Sequence, residues 1–184
     1  MTSEYGLEKK FCRIGEAVTL TEGCRIEGYA SLFGLTDQGG DVVMPGAYGK
    51  SLARLKAESR AVRMLWQHDA TQPIGVWDEI AEDGRGLRVK GRILTEIEKG
   101  RDAAALVAAG AIDGLSIGYR TVTAEKDAKG QRLLREVELW EVSLVTFPML
   151  PEARVSAKGE TLGAETLRDL AALFEEARRT LAGR

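Results

Sequence analysis

The sequence predicts a mainly β protein: an antiparallel sheet curled into a barrel, with two helices inserted between strands. Three observations carry that expectation. Apolar residues recur in short runs with period two, the runs are separated by turns rich in acidic residues and glycine, and strand and helix do not alternate regularly. With 184 residues, 44% of them hydrophobic and 29% charged, the chain can bury a core without help from disulfides.

The elements follow in order. Before Cys24, the weak alternation of Phe11, Ile14, Val18 and Leu20 predicts one strand and a turn at Glu22-Gly23. From Cys24 to Phe33, Cys24, Ile26, Gly28, Ala30 and Leu32 alternate with Arg25, Glu27, Tyr29, Ser31 and Phe33, which predicts a strand. Gly34 to Gly46, with Asp37, Gly39, Gly40, Asp41 and Pro45, is loop with a short extended piece at Val42-Val43. Tyr48, Leu52 and Leu55 share one helical face, so a helix is expected from Ala47 to Glu58.

Val62 to His68 is β-branched and aromatic enough for a strand, ended by a turn at Asp69 to Pro73. Ile74–Ile80 and Leu87–Leu94 form an expected antiparallel pair around Glu82 to Gly86. Alanines with Leu106 and Val107 predict a second helix over Glu98–Ala109, terminated by Gly110. Ile112–Thr123 and Arg132–Leu139 flank a charged turn at Glu125 to Gly130. Glu141–Phe147 is the last strong strand, stopped by Pro148 and Pro151. Residues 1–155 therefore read as the barrel domain. Residues 156–184 hold a small-residue linker and an amphipathic helix with Leu162, Leu167, Leu170, Leu173 and Phe174 on one side. That tail either docks on the core or binds a partner, and it is separable in principle.

Composition narrows the function. The 26 Lys+Arg against 28 Asp+Glu give a net charge of -2, and no basic-aromatic stripe is present, which argues against a nucleic-acid module. The chain has one histidine, His68, two cysteines, Cys12 and Cys24, and no asparagine. These three ligands cannot complete a Cys/His zinc site, an HExxH pair is impossible, and no N-glycosylation acceptor exists. Apolar stretches are too short for a membrane span, and the N-terminus is polar and mixed in charge. A reducing cytoplasm is the expected compartment, with a Cys12–Cys24 bridge as the minor alternative. Nothing calls for a metal or cofactor.

Three residues could carry chemistry. His68 ends an apolar strand, on the face of Trp66 and Met64 by period two; such a histidine is ordinarily a core residue, but a strand end is also where a general base sits. Ser116 lies in Gly114-Leu115-Ser116-Ile117-Gly118-Tyr119, which has the letters of GxSxG without its strand-elbow-helix context, so an α/β-hydrolase is a poor fit. Taken alone, the serine is packing. Glu141 opens Glu141-Val142-Ser143-Leu144-Val145-Thr146-Phe147 on the face of Ser143, and by itself is a solvated edge glutamate. A serine nucleophile would have His68, or a shifted lysine or carboxylate, as base. The partner of His68 cannot be a second histidine, and periodicity does not choose it.

The ordered series of motifs resembles the HK97-type prohead protease family of tailed phages, prophages and gene transfer agents. The matching runs are Ile26 to Gly34, Asp37 with Gly40 to Tyr48, Leu65 to Asp69, Gln72 to Gly75, Gly86 to Val89, Gly114 to Tyr119, and Glu141 to Thr146 with Pro148 and Pro151. This resemblance implies a serine endopeptidase on a herpesvirus assemblin-like β-barrel, working inside the assembling procapsid. It implies Ser116 as nucleophile, His68 as base and Glu141 as third member, with Glu138 and Asp113 as substitutes for Glu141. It implies as partners the major capsid protein precursor with its scaffolding segment, the chain itself as a second substrate, and self-association as a dimer. Arg120 is a candidate to orient a water or the oxyanion. The competing expectations are an inactive β-barrel assembly or scaffolding protein, and an esterase on the same barrel; a glycosidase would need paired acids and have no use for His68.

Overall fold

Residues 8–11, 19–21, 24–37 and 39–147 are described by the structure, a computed structural model. Among them are nine strands and two helices. The strands are β1 (Glu8–Phe11), β2 (Thr19–Thr21), β3 (Arg25–Leu32), β4 (Asp41–Val43), β5 (Arg63–Trp66), β6 (Asp69–Glu82), β7 (Gly86–Ile93), β8 (Gly114–Lys126) and β9 (Arg132–Val145). Helix α1 (Gly49–Ala57) lies between β4 and β5, and α2 (Glu98–Ala108) between β7 and β8.

The strands form one sheet in the order β1-β8-β9-β5-β6-β7-β3-β2, with β4 also on β9. It curls into an open half-barrel with two inserted helices. Most pairings are antiparallel, as the short turns require. Two are not: β4 runs parallel to β9 at Arg132–Leu134, and β5 runs parallel to β9 at Arg63–Trp66 against Glu141–Leu144. Turn chemistry predicts only how neighbours in sequence pair, and these partners are joined by long crossovers. The sheet is therefore mixed.

The core is one cluster that includes Ile26, Val43, Tyr48, Met64, Ile74, Leu87, Val89, Ile117, Leu134 and Val142. Leu55 brings α1 into it, and Ala103 and Val107 bring α2. Ser51 of α1 accepts a hydrogen bond from the Leu139 N–H at 2.9 Å, which ties the helix to β9. Buried Asp41 takes both Nε and a terminal nitrogen of Arg132, at 2.8 and 2.6 Å. Asp41, the first residue of β4, thus clamps that strand to β9. Among the described residues no helix is long and apolar enough to cross a membrane.

Several boundaries differ from expectation. The N-terminal region forms two short strands rather than one, and they sit at opposite ends of the sheet, β1 on β8 and β2 on β3. The strand expected to reach His68 stops at Trp66. Gln67 and His68 have φ of 52° and 62° and make a two-residue turn, with Trp66 paired to Asp69. Asp69 to Pro73 therefore belongs to β6 instead of forming a turn. Pro73 is tolerated there because the β5–β6 register is irregular and β6 meets β7 only from Gly75 onward. The strands expected at Arg132–Leu139 and Glu141–Phe147 are one strand, β9. The tail at 156–184, the turn at Glu22-Gly23 and Cys12 lie outside the described residues; Cys24 is half-buried.

Candidate active site

Three stretches remote in sequence meet at one point. β8 contributes Ser116, fully buried, with Leu115, Ile117 and Tyr119 packed on its opposite, core-facing side. β9 pairs antiparallel with β8, placing Ser143 opposite Ser116 and Glu141 opposite Gly118. On its other side β9 carries β5, whose turn into β6 is Gln67-His68.

A bulge in β9 decides which face Glu141 occupies. Gly118 pairs with Glu141 and Tyr119 with Leu139, leaving Trp140 as the extra residue. Upstream, Val137 and Leu139 face the core; after the bulge, odd-numbered residues switch sides, and Glu141 and Ser143 join Ser116 and Gly118. Gly118 then matters for a second reason. A Cβ there would overlap Glu141 Oε1 and lie 2.7 Å from its Cδ, so the carboxylate crosses the strand through space only glycine leaves open.

The geometry is short and closed. His68 Nδ1 is 2.5 Å from Glu141 Oε1, and His68 Nε2 is 2.7 Å from Ser116 Oγ. Ser143 donates its hydroxyl to Glu141 Oε2 at 2.6 Å and accepts the His68 backbone N–H at 3.2 Å. A carboxylate only accepts, so this arrangement puts the ring proton on Nδ1 and leaves Nε2 to accept from the serine. Backbone of His68, Ser143, Glu141 and the imidazole form a ring of hydrogen bonds that fixes the side chain against its own main chain. Glu141 is 3% exposed and its carboxylate is satisfied on both oxygens.

The turn holding His68 is strained, since neither residue is glycine and both have positive φ. Three bonds from Gln67 hold it. The Gln67 N–H donates to the Leu144 carbonyl at 2.9 Å, its side-chain amide donates to Thr146 Oγ1 at 2.5 Å, and its Oε1 accepts the Thr146 N–H at 3.3 Å.

Ser116, His68 and Glu141 are thus brought together. Of the substitutes suggested for Glu141, Asp113 lies between α2 and β8, and Glu138 lies on β9 before the Trp140 bulge. Glu138 pairs with Arg120, at 2.9 Å from Nε, and with Arg54 of α1. Burial pushes its carboxyl up, but the hydrogen bonds from Arg120 and Arg54 outweigh this and hold it below the usual glutamate value. Arg120 is therefore engaged with Glu138. Asp69, next to the histidine, accepts from the hydroxyl and N–H of Thr71 at 2.6 and 2.8 Å, and these bonds lower its pKa. Sequence reasoning missed the part played by Ser143 and Gln67. Ser143 was visible as the residue sharing Glu141's face; Gln67 left no signal, because its part depends on a turn that periodicity assigned to a strand.

The profile of a family described as Caudovirus prohead serine protease matches residues 14–167. The chain belongs to that family. It is also similar to the prohead protease of Enterobacteria phage HK97, with 34% identity over 147 residues, 78% of this chain and 64% of the relative. The match thus spans slightly less than two thirds of that relative's length. Among solved structures, the bacteriophage T4 capsid assembly protease superposes with a TM-score of 0.55 at 19% identity, covering 77% of this chain and 95% of that one. At that identity the likeness shows a shared fold, the open mixed half-barrel of the prohead protease family. The family's matching stretch contains the Gln67-His68 turn, β8 and β9, so the whole constellation lies within it.

Proposed function

We propose that the chain is a serine endopeptidase of prohead maturation, with Ser116 as nucleophile, His68 as general base and Glu141 as the residue that orients and charges-balances the imidazole. One observation carries this reading: a single imidazole spans Ser116 Oγ at 2.7 Å and Glu141 Oε1 at 2.5 Å. In the reaction, His68 Nε2 takes the hydroxyl proton as Ser116 Oγ attacks a peptide carbonyl. The imidazolium then gives that proton to the leaving amine, and a water repeats the cycle to release the acyl group. Glu141 holds Nδ1–H in place and stabilises the positive ring through both steps. Backbone N–H groups would receive the oxyanion.

The substrates in this reading are the scaffolding segment of the major capsid protein precursor and the chain itself. The place of action is the assembling procapsid in the cytoplasm. Family membership and the likeness to a protein named prohead protease support it. The test is intact-mass spectrometry of the coat protein encoded beside this gene, co-expressed with the unaltered chain or with Ser116→Ala. A coat protein shortened from its N-terminus only with the unaltered chain is expected. Equal masses in both would overturn the reading.

A further inference from the structure

Ser116 is fully buried, and one edge of the strand that carries it is paired with β9. The other edge is paired with β1, which runs antiparallel to β8 with Phe11 opposite Ser116, Lys10 opposite Ile117, Lys9 opposite Gly118 and Glu8 opposite Tyr119. β1 is the end of the sheet and has β8 as its sole strand neighbour among the described residues.

We propose that this edge of β8, from Ser116 to Tyr119, is the docking surface for an extended segment of a polypeptide substrate, and that β1 occupies it as a built-in competitor. The inference rests on the endopeptidase reading and extends it to how substrate reaches the serine. Extended peptides bind sheets by adding a strand to an edge, where backbone hydrogen bonds supply most of the recognition. Residues directly opposite in an antiparallel pair have Cα atoms roughly 4.5–5.5 Å apart. A strand in the β1 position therefore carries its main chain past Ser116 at the place now held by Phe11. No other described strand has this relation to the serine, because β9 is locked between β8 and β5. A four-residue end strand held by one ladder is also readily exchanged.

The test uses the full chain carrying Lys9→Pro and Lys10→Pro together. Successive N–H groups of a strand point to opposite edges, so one of the two prolines removes a donor to β8. Binding is read in a Ser116→Ala background, by fluorescence anisotropy of a labelled synthetic peptide of residues 5–14. The proline variant should bind the peptide at least about tenfold tighter than the same chain without the prolines. Hydrogen exchange at Ser116–Tyr119 should speed up in the variant and slow again on adding peptide. A variant that melts as the unaltered chain does, yet shows equal affinity and unchanged exchange, overturns the inference. With Ser116 restored, cleavage of the precursor should rise several-fold in the proline variant, and the peptide should inhibit it competitively. Tighter binding without Ser116-dependent cleavage in either chain would remove the endopeptidase reading and leave the docking edge. Ser116-dependent cleavage at equal rates in both chains would do the reverse.

Discussion

Glu141 reaches His68 by crossing directly over Gly118, and any side chain at that position would collide with the carboxylate. The glycine in the Ser116 motif therefore leaves room for the Glu141 carboxylate. It couples two motifs that lie on neighbouring strands.

Gly118→Ala is expected to displace the Glu141 carboxylate. Overpacking of this kind costs about 1–3 kcal/mol of stability, and misplacing a reacting group by an ångström can cost about a hundredfold in rate. Denaturant unfolding and precursor-cleavage rates on the same samples check both. A fully active alanine variant would mean that Glu141 can turn aside and still hold the imidazole.

Ser143→Ala removes the hydroxyl that satisfies Glu141 Oε2 and accepts the His68 N–H. A hydrogen bond to a charged group contributes about 1.5–3 kcal/mol, so kcat should fall roughly tenfold to a hundredfold with KM little changed. A lower melting temperature with unchanged kcat would make Ser143 a packing residue only.

Gln67→Gly separates backbone strain from side-chain anchoring. Glycine accepts the positive φ of 52° at no steric cost but cannot bond Thr146. Stability should stay within about 1 kcal/mol of the unaltered chain, while kcat drops several-fold because the turn bearing His68 loses its hold on the end of β9. Equal kcat values would assign the whole positioning role to the backbone bond between Gln67 and Leu144.

Glu138 gives a prediction in pH. Its folded pKa is lowered, so the fold favours the charged form. That contribution is fully present above the unfolded value of about 4.3 and is lost as pH falls through the lower folded value. Its size should be on the order of 1 kcal/mol, since both arginine partners are half exposed. Between neutrality and roughly pH 3, the unaltered chain should lose more stability than Glu138→Gln does. Equal losses would show that the Arg54–Glu138–Arg120 cluster contributes nothing measurable.

Much of the fold was legible because local rules governed it. The helical spacing of Tyr48, Leu52 and Leu55 and the alanine run closed by Gly110 gave both helices within a residue or two. What escaped was non-local. The parallel pairing of β5 with β9 has no signature in either segment, and the positive φ of Gln67 and His68 breaks the strand pattern of Val62 to Trp66 before them. The face of Glu141 depends on the Trp140 bulge, where an exposed tryptophan interrupts the alternation. Ser116, His68 and Glu141 were named through motif resemblance. Their distances, and the closing of the ring through Ser143, came only with the third dimension.

The parallel seam between β5 and β9 also sets a clock. His68 is 48 residues from Ser116 and 73 from Glu141, and the β5–β9 ladder helps align them. Such long loops close late in folding. In the endopeptidase reading, the serine and its base therefore meet only once β9 has joined β8 to β5.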